Sequence, residues 1–353
     1  MSRRSSIFSS EHGRFLLRLS AFAAGLLIIF AILSLVYGYR VRDRDFYFEQ
    51  LADFDSPQNN PRVVLFGDSR VAFNFSRREL PPEIYNFGHP GEALRPLYLR
   101  AEHALREKPS IKVVVIQIDD HVLSQYRDDR YEFAKQLAFA TYNDIAEAYP
   151  IDRPTWFEQY VLEKIPLLDK EQRRLLMQVM IADARHSLTG KRITRAIYLD
   201  RCNDFKHSDE GSWVKLSEKQ RTDAALEQVK RKLVAVLQPH LRDVFDKFVA
   251  LVKARNLKLV GIRTPMVPEF IEGGKSVDMH ALHKYFAGLP FDRILDYTDI
   301  FHDRPELFTD PDHLNLAGAA LLSRRLYSDI ADLAGIQIGP VKKCAVYVPA
   351  ATN

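Results

Sequence analysis

Five short apolar runs, separated by stretches with helical spacing, constrain this chain more than any other feature. The central one, Ile111 to Ile118 (IKVVVIQI), is β-branched and almost wholly apolar. A strand of that composition is covered on both faces, which is the condition of a central parallel strand. Arg62 to Phe66, Glu83 to Phe87, Leu257 to Ile262 and Arg293 to Tyr297 supply four more strand candidates. Pro96 to Glu107, Ser217 to Arg255 and Asn315 to Ala334 carry apolar residues at helical spacing between or after them. Strand and helix in alternation predict an α/β protein, a three-layer α/β/α sandwich around a parallel sheet.

The segment 122–211 breaks this rhythm. It is rich in Tyr, Arg and Asp and too long for a connecting loop. It reads as a helical insertion after the third strand, either capping or flanking a site or elaborating the surface. The remaining boundaries follow from composition: a tail over 1–18, a linker over 40–60 ending in Ser56-Pro57-Gln58-Asn59-Asn60-Pro61, a domain over 61–338 and a peripheral tail over 339–353.

Between tail and linker, Leu19 to Tyr39 (LSAFAAGLLIIFAILSLVYGY) contains no charged residue. As a helix it would be about 30 Å long, enough to cross a bilayer. It ends in Leu-Val-Tyr-Gly-Tyr and Arg40 rather than at a small-x-small cleavage site, which favours an uncleaved anchor over a signal peptide. Tyr37 and Tyr39 suit a membrane interface. Arg3, Arg4, Arg14 and Arg18 precede the run and Arg40, Arg42 and Arg44 follow it, a slight excess that puts the N-terminus inside. The expected location is the inner (cytoplasmic) membrane, single-pass, with the large domain periplasmic or extracytoplasmic.

The balance of 50 basic and 46 acidic residues, a net charge of +4, gives no reason to expect nucleic acid. Cys202 and Cys344 have neither CxxC nor metal-ligand spacing; they are one disulfide or two unrelated thiols.

Two short motifs lie at opposite ends of the domain. Gly67-Asp68-Ser69-Arg70 follows the first strand, and Asp310-Pro311-Asp312-His313 precedes the last helix. A serine hydroxyl needs a base to take its proton, and a histidine needs a carboxylate to orient its ring. Ser69 at the end of a strand projects toward the sheet edge where ligands bind in open α/β folds. His313 is the best base, with Asp310 three residues before it. Asp312 is expected to be an exposed turn residue.

With Asn86-Phe87-Gly88-His89-Pro90-Gly91 between them, these blocks resemble the SGNH, or GDSL-type, hydrolase superfamily. The resemblance covers about residues 61–335 without the insertion. It implies the flavodoxin-like SGNH fold, with Ser69, Asp310 and His313 as the triad. It also implies an oxyanion hole from the backbone of Ser69 and Gly91, with Gly88 a near rival. The anchor and the run GDSRVAFNF…YNFGHPG further resemble a membrane-anchored branch that serves polysaccharide O-acetylation (alginate acetylation-like) and lipoteichoic acid D-alanylation beside a multi-pass membrane O-acyltransferase. The superfamily's third oxyanion donor, an Asn after the third strand, is absent. Gln117-Ile118-Asp119-Asp120-His121 stands there; ionised Asp119 or Asp120 would repel an oxyanion, while His121 could donate.

Other clusters carry less. Neither Asp119-Asp120-His121 nor Asp310, Asp312 and His313 forms a metal set of known spacing, and no cofactor is expected. His280 and His283 lie one helical turn apart without a third ligand. Gly273-Gly274-Lys275 lacks the rest of a phosphate loop. Arg263-Thr264-Pro265 either reaches substrate or ends a strand, and Arg70 either binds an anionic group or faces solvent. The expected function is a serine acyltransferase or esterase moving acyl groups, acetyl first among them, on an envelope polysaccharide. The rivals are a non-catalytic accessory protein that binds the glycan or the acyltransferase, and a lipid-directed esterase.

Overall fold

The computed structural model describes residues 11–41, 46–127, 165–168, 170–189 and 213–337, with positions 136, 139, 158 and 161 between them. In chain order the elements begin with helices α1 (Glu11–Arg40) and α2 (Phe46–Asp55). The sheet then opens with β1 (Val63–Phe66), α3 (Ser69–Asn74), β2 (Ile84–Asn86), α4 (Leu94–Glu107) and β3 (Val113–Gln117). Helices α5 (Lys170–Thr189), α6 (Glu218–Lys232) and α7 (Pro239–Ala254) precede β4 (Lys258–Arg263). The chain closes with α8 (Pro268–Gly274), α9 (His280–Ala287), β5 (Arg293–Asp296), the short strands β6 (Phe308–Asp310) and β7 (His313–Leu314), and α10 (Leu316–Ala334).

Two units are distinguishable: residues 1–49 with 150–197, and residues 50–149 with 198–353. The second holds the sheet. Its five strands are all parallel, in the order β2-β1-β3-β4-β5. The chain turns toward β2 through α3, then returns through α4 to lay β3 on the other side of β1. Right-handed crossovers in opposite directions place α3 and α4 on opposite faces. Helix α7 packs beside α4, and α10 beside α3, completing the three layers. The expected fold class is therefore observed.

β1 and β3 are buried along their whole length because helices cover both faces, as their unbroken apolar sequence requires. Phe66 meets Phe248 of α7 edge-on at 6.0 Å between ring centroids. Each such fully buried ring is worth about 1.5–3 kcal/mol of transfer free energy.

The boundaries differ from the sequence in three places. Helix α1 starts at Glu11, so residues 11–18 extend the helix instead of belonging to a tail. The expected linker is ordered from Gln50 onward. Gln50 Nε2 donates to the carbonyls of Asn86 and Gly88, both at 3.2 Å, and Phe54 stacks on Phe87 at 4.5 Å. The long helical pattern over 217–255 is two helices, because Ala235 has φ 45° and breaks the run before Pro239 starts α7. Most of the insertion, the tail from 338, and both Cys202 and Cys344 lie outside the described residues.

In the first unit, α1 contains a segment, Gly13–Gly38, long and apolar enough to cross a membrane.

Candidate active site

Strand order reverses between β1 and β3, which opens a crevice at the carboxyl ends of these two strands. Ser69 is the first residue of α3, just past β1, and sits at that crevice half-buried. Asp68 caps α3, its Oδ1 accepting the Arg70 N–H at 2.9 Å. The β6–β7 turn brings His313 over the same point.

The geometry is a linear relay. His313 Nε2 lies 2.8 Å from Ser69 Oγ, and His313 Nδ1 lies 2.8 Å from Asp310 Oδ2. Asp310 Oδ1 also accepts the backbone N–H groups of Asp312 and His313, both at 3.0 Å. That turn fixes the carboxylate before it meets the ring, the local reason for the Asp-x-x-His spacing. Phe73 packs against the imidazole at 5.4 Å between ring centroids. Burial lowers the basicity of His313, but the carboxylates of Asp310 and Asp312 outweigh it, so its pKa is raised above the ordinary imidazole value.

Asn74 joins the two halves. Its Oδ1 accepts the Leu314 N–H at 2.7 Å and its Nδ2 reaches the Asp312 carbonyl at 3.4 Å, so the serine's helix is tied directly to the histidine's strand. Nothing in the sequence marks an Asn at the end of α3 for this task, since its partners are 238 and 240 residues away.

Of the two glycines the sequence offered for an oxyanion hole, Gly88 is committed elsewhere. Its N–H donates to Asn86 Oδ1 at 2.9 Å, and a Cβ there would lie 2.5 Å from the Ala72 nitrogen. Gly88 lets the loop after β2 approach α3. Gly91 has φ +67°, and a Cβ would meet nothing within 4 Å, so backbone conformation alone calls for glycine there. Among the described residues, neither the Ser69 nor the Gly91 N–H donates to another group.

Asp312, expected on the surface, is fully buried. Arg70 Nε and Nη2 converge on its Oδ2 at 2.8 and 2.7 Å, and Lys232 from the end of α6 joins them. Arg70 is buried too, at 1 % exposure, so it neither faces solvent nor awaits an anion. Its Nη1 meets Asp119 Oδ2 at 3.2 Å. Asp119 accepts the Thr264 N–H and Oγ1–H, each at 2.7 Å, and Gln117 Nε2 at 2.7 Å. It fastens the end of β3 to the end of β4. His121 Nε2 lies 2.7 Å from Asp68 Oδ2, which also meets Arg127 at 3.2 Å.

Three buried cations (Arg70, Arg127, Lys232) thus face three buried carboxylates (Asp68, Asp119, Asp312) beneath the triad. Burial favours the neutral acids, yet the surrounding cations hold Asp68 and Asp312 well below the usual carboxylate range. Burial and Arg70 push His121 down to about 4, so it is a neutral donor to Asp68 and its Nε2–H is not available to an oxyanion.

The other sequence candidates separate. Asp120 pairs with Arg263 and with His283 Nε2 at 3.0 Å, so Asp119, Asp120 and His121 point to three different partners and share no ligand position. Arg263 is likewise occupied by Asp120. Donor atoms of Asp310, Asp312 and His313 lie within 4.8 Å of one another. They are already engaged, by Arg70 and Lys232 on one side and by the Asp310–His313 contact on the other. A concavity of about 330 Å³ borders Asp310, lined by Trp213, Gln228, Arg231, Thr309 and Pro311. A larger one of about 690 Å³ between α6 and α8 touches none of the triad.

No family model and no curated protein matches the chain. Among solved structures, one from Streptococcus pneumonia, described provisionally as a platelet activating factor, is similar at 11% identity and a TM-score of 0.31, covering 89% of this chain and 99% of its own. A likeness of that degree says nothing about chemistry.

Proposed function

We propose that this chain is a serine acyltransferase or esterase of the SGNH class, acting on ester-linked acyl groups, acetyl first among them, of an envelope polysaccharide. The observation that carries the reading is the relay itself: one imidazole nitrogen 2.8 Å from the Ser69 hydroxyl and the other 2.8 Å from Asp310. In this mechanism His313 Nε2 takes the Ser69 proton as Oγ attacks the acyl carbonyl. The Ser69 and Gly91 N–H groups receive the oxyanion. Collapse expels the alcohol, which takes the proton back from His313 and leaves an acyl-serine. A sugar hydroxyl, or water in a plain esterase, then repeats the sequence in reverse. Asp310 holds the ring and offsets the imidazolium charge. The polysaccharide, and a multi-pass acyltransferase as partner, come from the resemblance in sequence alone. The apolar α1 supports a single-pass anchor; the extracytoplasmic side proposed for the domain rests on the slight excess of Arg before the span.

Fluorophosphonate labelling of the full-length protein in detergent tests the nucleophile. Labelling of wild type that disappears in Ser69→Ala supports the reading. A folded wild-type protein that takes no label would reject it. That result would favour the non-catalytic accessory role, for which the specific observation is that the end of β3 offers a buried carboxylate, Asp119, where an amide donor is expected.

A further inference from the structure

Outside the catalytic unit, the short helical turn Pro166–Leu168 and helix α5 pack on α1. Tyr37, Leu167 and Leu176 form a buried cluster, with Phe30, Leu33, Val36 and Val41 packed around it. Phe30, Leu33 and Tyr37 lie on one stripe of α1, at i, i+3 and i+7. At 1.5 Å per residue, Phe30 and Leu33 are about 15 and 10 Å inside the end of the helix at Arg40. Whatever touches them shares their depth when α1 is in a bilayer.

Two features of the packed segment fit such depth. Apart from Leu167 and Leu176, apolar side chains of this segment are exposed: Leu168 is 48% exposed, Leu175 40%, Met177 59%, Met180 43% and Ile181 47%. A cluster of this kind is costly in water and favourable among acyl chains. The carbonyls of its turn, by contrast, are satisfied from within, and its exposed cations Lys170, Arg173 and Arg174 stand in the first turn of α5, where long side chains can reach lipid headgroups. The Arg173 guanidinium donates to the carbonyls of Leu167 and Leu168 at 2.8 and 2.7 Å, where the turn would otherwise leave them bare. Tyr37 donates to Gln172 Oε1 at 2.6 Å. Internal satisfaction of backbone groups is what a hydrocarbon environment demands and what water does not.

We infer that residues 166–168 and 170–181 are a second membrane-seated element, lying beside α1 in the leaflet where α1 leaves the bilayer, with Met177, Met180 and Ile181 against lipid acyl chains. The inference rests on reading α1 as a membrane span. It makes the chain an anchored protein with two lipid contacts, the second contributed from within the long insertion.

The test uses full-length protein in which Cys202→Ser and Cys344→Ser leave no native thiol. A bimane label is placed through Met180→Cys, and in separate proteins through Met177→Cys, Leu27→Cys and Glu218→Cys. Each is reconstituted into mixed phosphatidylcholine and phosphatidylglycerol vesicles. Quenching by lipid carrying a doxyl group on the acyl chain is compared with quenching by aqueous iodide. Labels at Met180 and Met177 should follow Leu27, quenched by doxyl lipid at least about twofold more than by iodide, while Glu218 shows the reverse. If Leu27 is quenched by lipid but Met180 and Met177 follow Glu218, the second element is rejected and the span stands. If Leu27 itself follows Glu218, the span fails and the inference with it. Labels at Met177 and Met180 shielded from both quenchers would mean that protein covers this face, which also overturns it.

Discussion

Arg70 and Asp312 are 242 residues apart in sequence, yet two nitrogens of the one converge on a single oxygen of the other, at 2.8 and 2.7 Å, in the closed interior. The residue after the candidate nucleophile thereby holds the residue before the candidate base. The pair lies among three cations and three carboxylates, so each charge is compensated only while all are present. Asp312→Asn should leave Arg70 and Lys232 in excess and cost about 3–5 kcal/mol, the usual consequence of breaking a buried pair from one side. Urea unfolding of the detergent-solubilised protein checks this. A loss below 1 kcal/mol, the range of surface pairs, would contradict the burial argument.

Asp310 should govern the pH range of the serine. The base must be neutral to accept a proton, so reaction slows as pH falls through the raised pKa of His313. Replacing Asp310 by Asn removes the largest of the influences that raise it. The acid limb of the labelling rate should then move to lower pH, while the plateau falls by about 10³–10⁴-fold. An unmoved limb with a near-normal plateau would transfer the orienting role to Asp312, whose Oδ1 lies 3.4 Å from His313 Nδ1.

The Asn74 clamp makes a separate prediction. Asn74→Ala strands the buried Leu314 N–H and should cost about 1–3 kcal/mol. Because the same side chain ties α3 to β7, labelling of Ser69 should slow at temperatures where the variant is still fully folded. Full-rate labelling of a folded Asn74→Ala protein would show that the β6–β7 turn positions His313 without help from α3.

The two glycines separate conformation from space. Gly91→Ala forces a side chain into left-handed backbone with open surroundings, a cost of about 1–2 kcal/mol. Gly88→Ala must instead displace the backbone of α3, since its Cβ would lie 2.5 Å from the Ala72 nitrogen, and should be the more destabilising. Thermal melts of the two variants side by side decide the order. Equal losses would mean that the loop after β2 yields freely.

What the sequence made legible is what local pattern determines. The run Val113–Gln117 could only be a covered strand, and the Asp310–His313 spacing could only close by a turn that lets the carboxylate meet its own ring. The buried charge cluster was illegible because each member reads locally as a surface group. Asp312 sits in a polar turn, Arg70 follows a capped serine, and Lys232 ends a charged helix. Their burial is decided by strand order, which brings α3, the ends of β3 and α6, and the β6–β7 turn to one point. Asn74 and Gly88 were obscure for the same reason, since both act on chain segments that only the folded sheet brings near.

His121 gives the clearest dependence of stability on pH. Its pKa falls from 6.5 in the unfolded chain to about 4 in the fold, so folding favours the neutral ring. That contribution is complete above 6.5 and is lost as pH falls toward 4, because the unfolded chain binds the proton first. The span corresponds to a loss on the order of 3 kcal/mol. His313 does not blur this window. Its pKa is raised, so it is protonated in both states below 6.5, and its own contribution declines only as pH rises through the folded value. Asp68 and Asp312 add their acid lability only below 3.8. Wild-type stability should therefore fall from pH 6.5 to 4, and His121→Gln, though weaker at neutral pH, should show a much flatter slope there. Parallel slopes in the two proteins would mean that His121 is not the group that titrates.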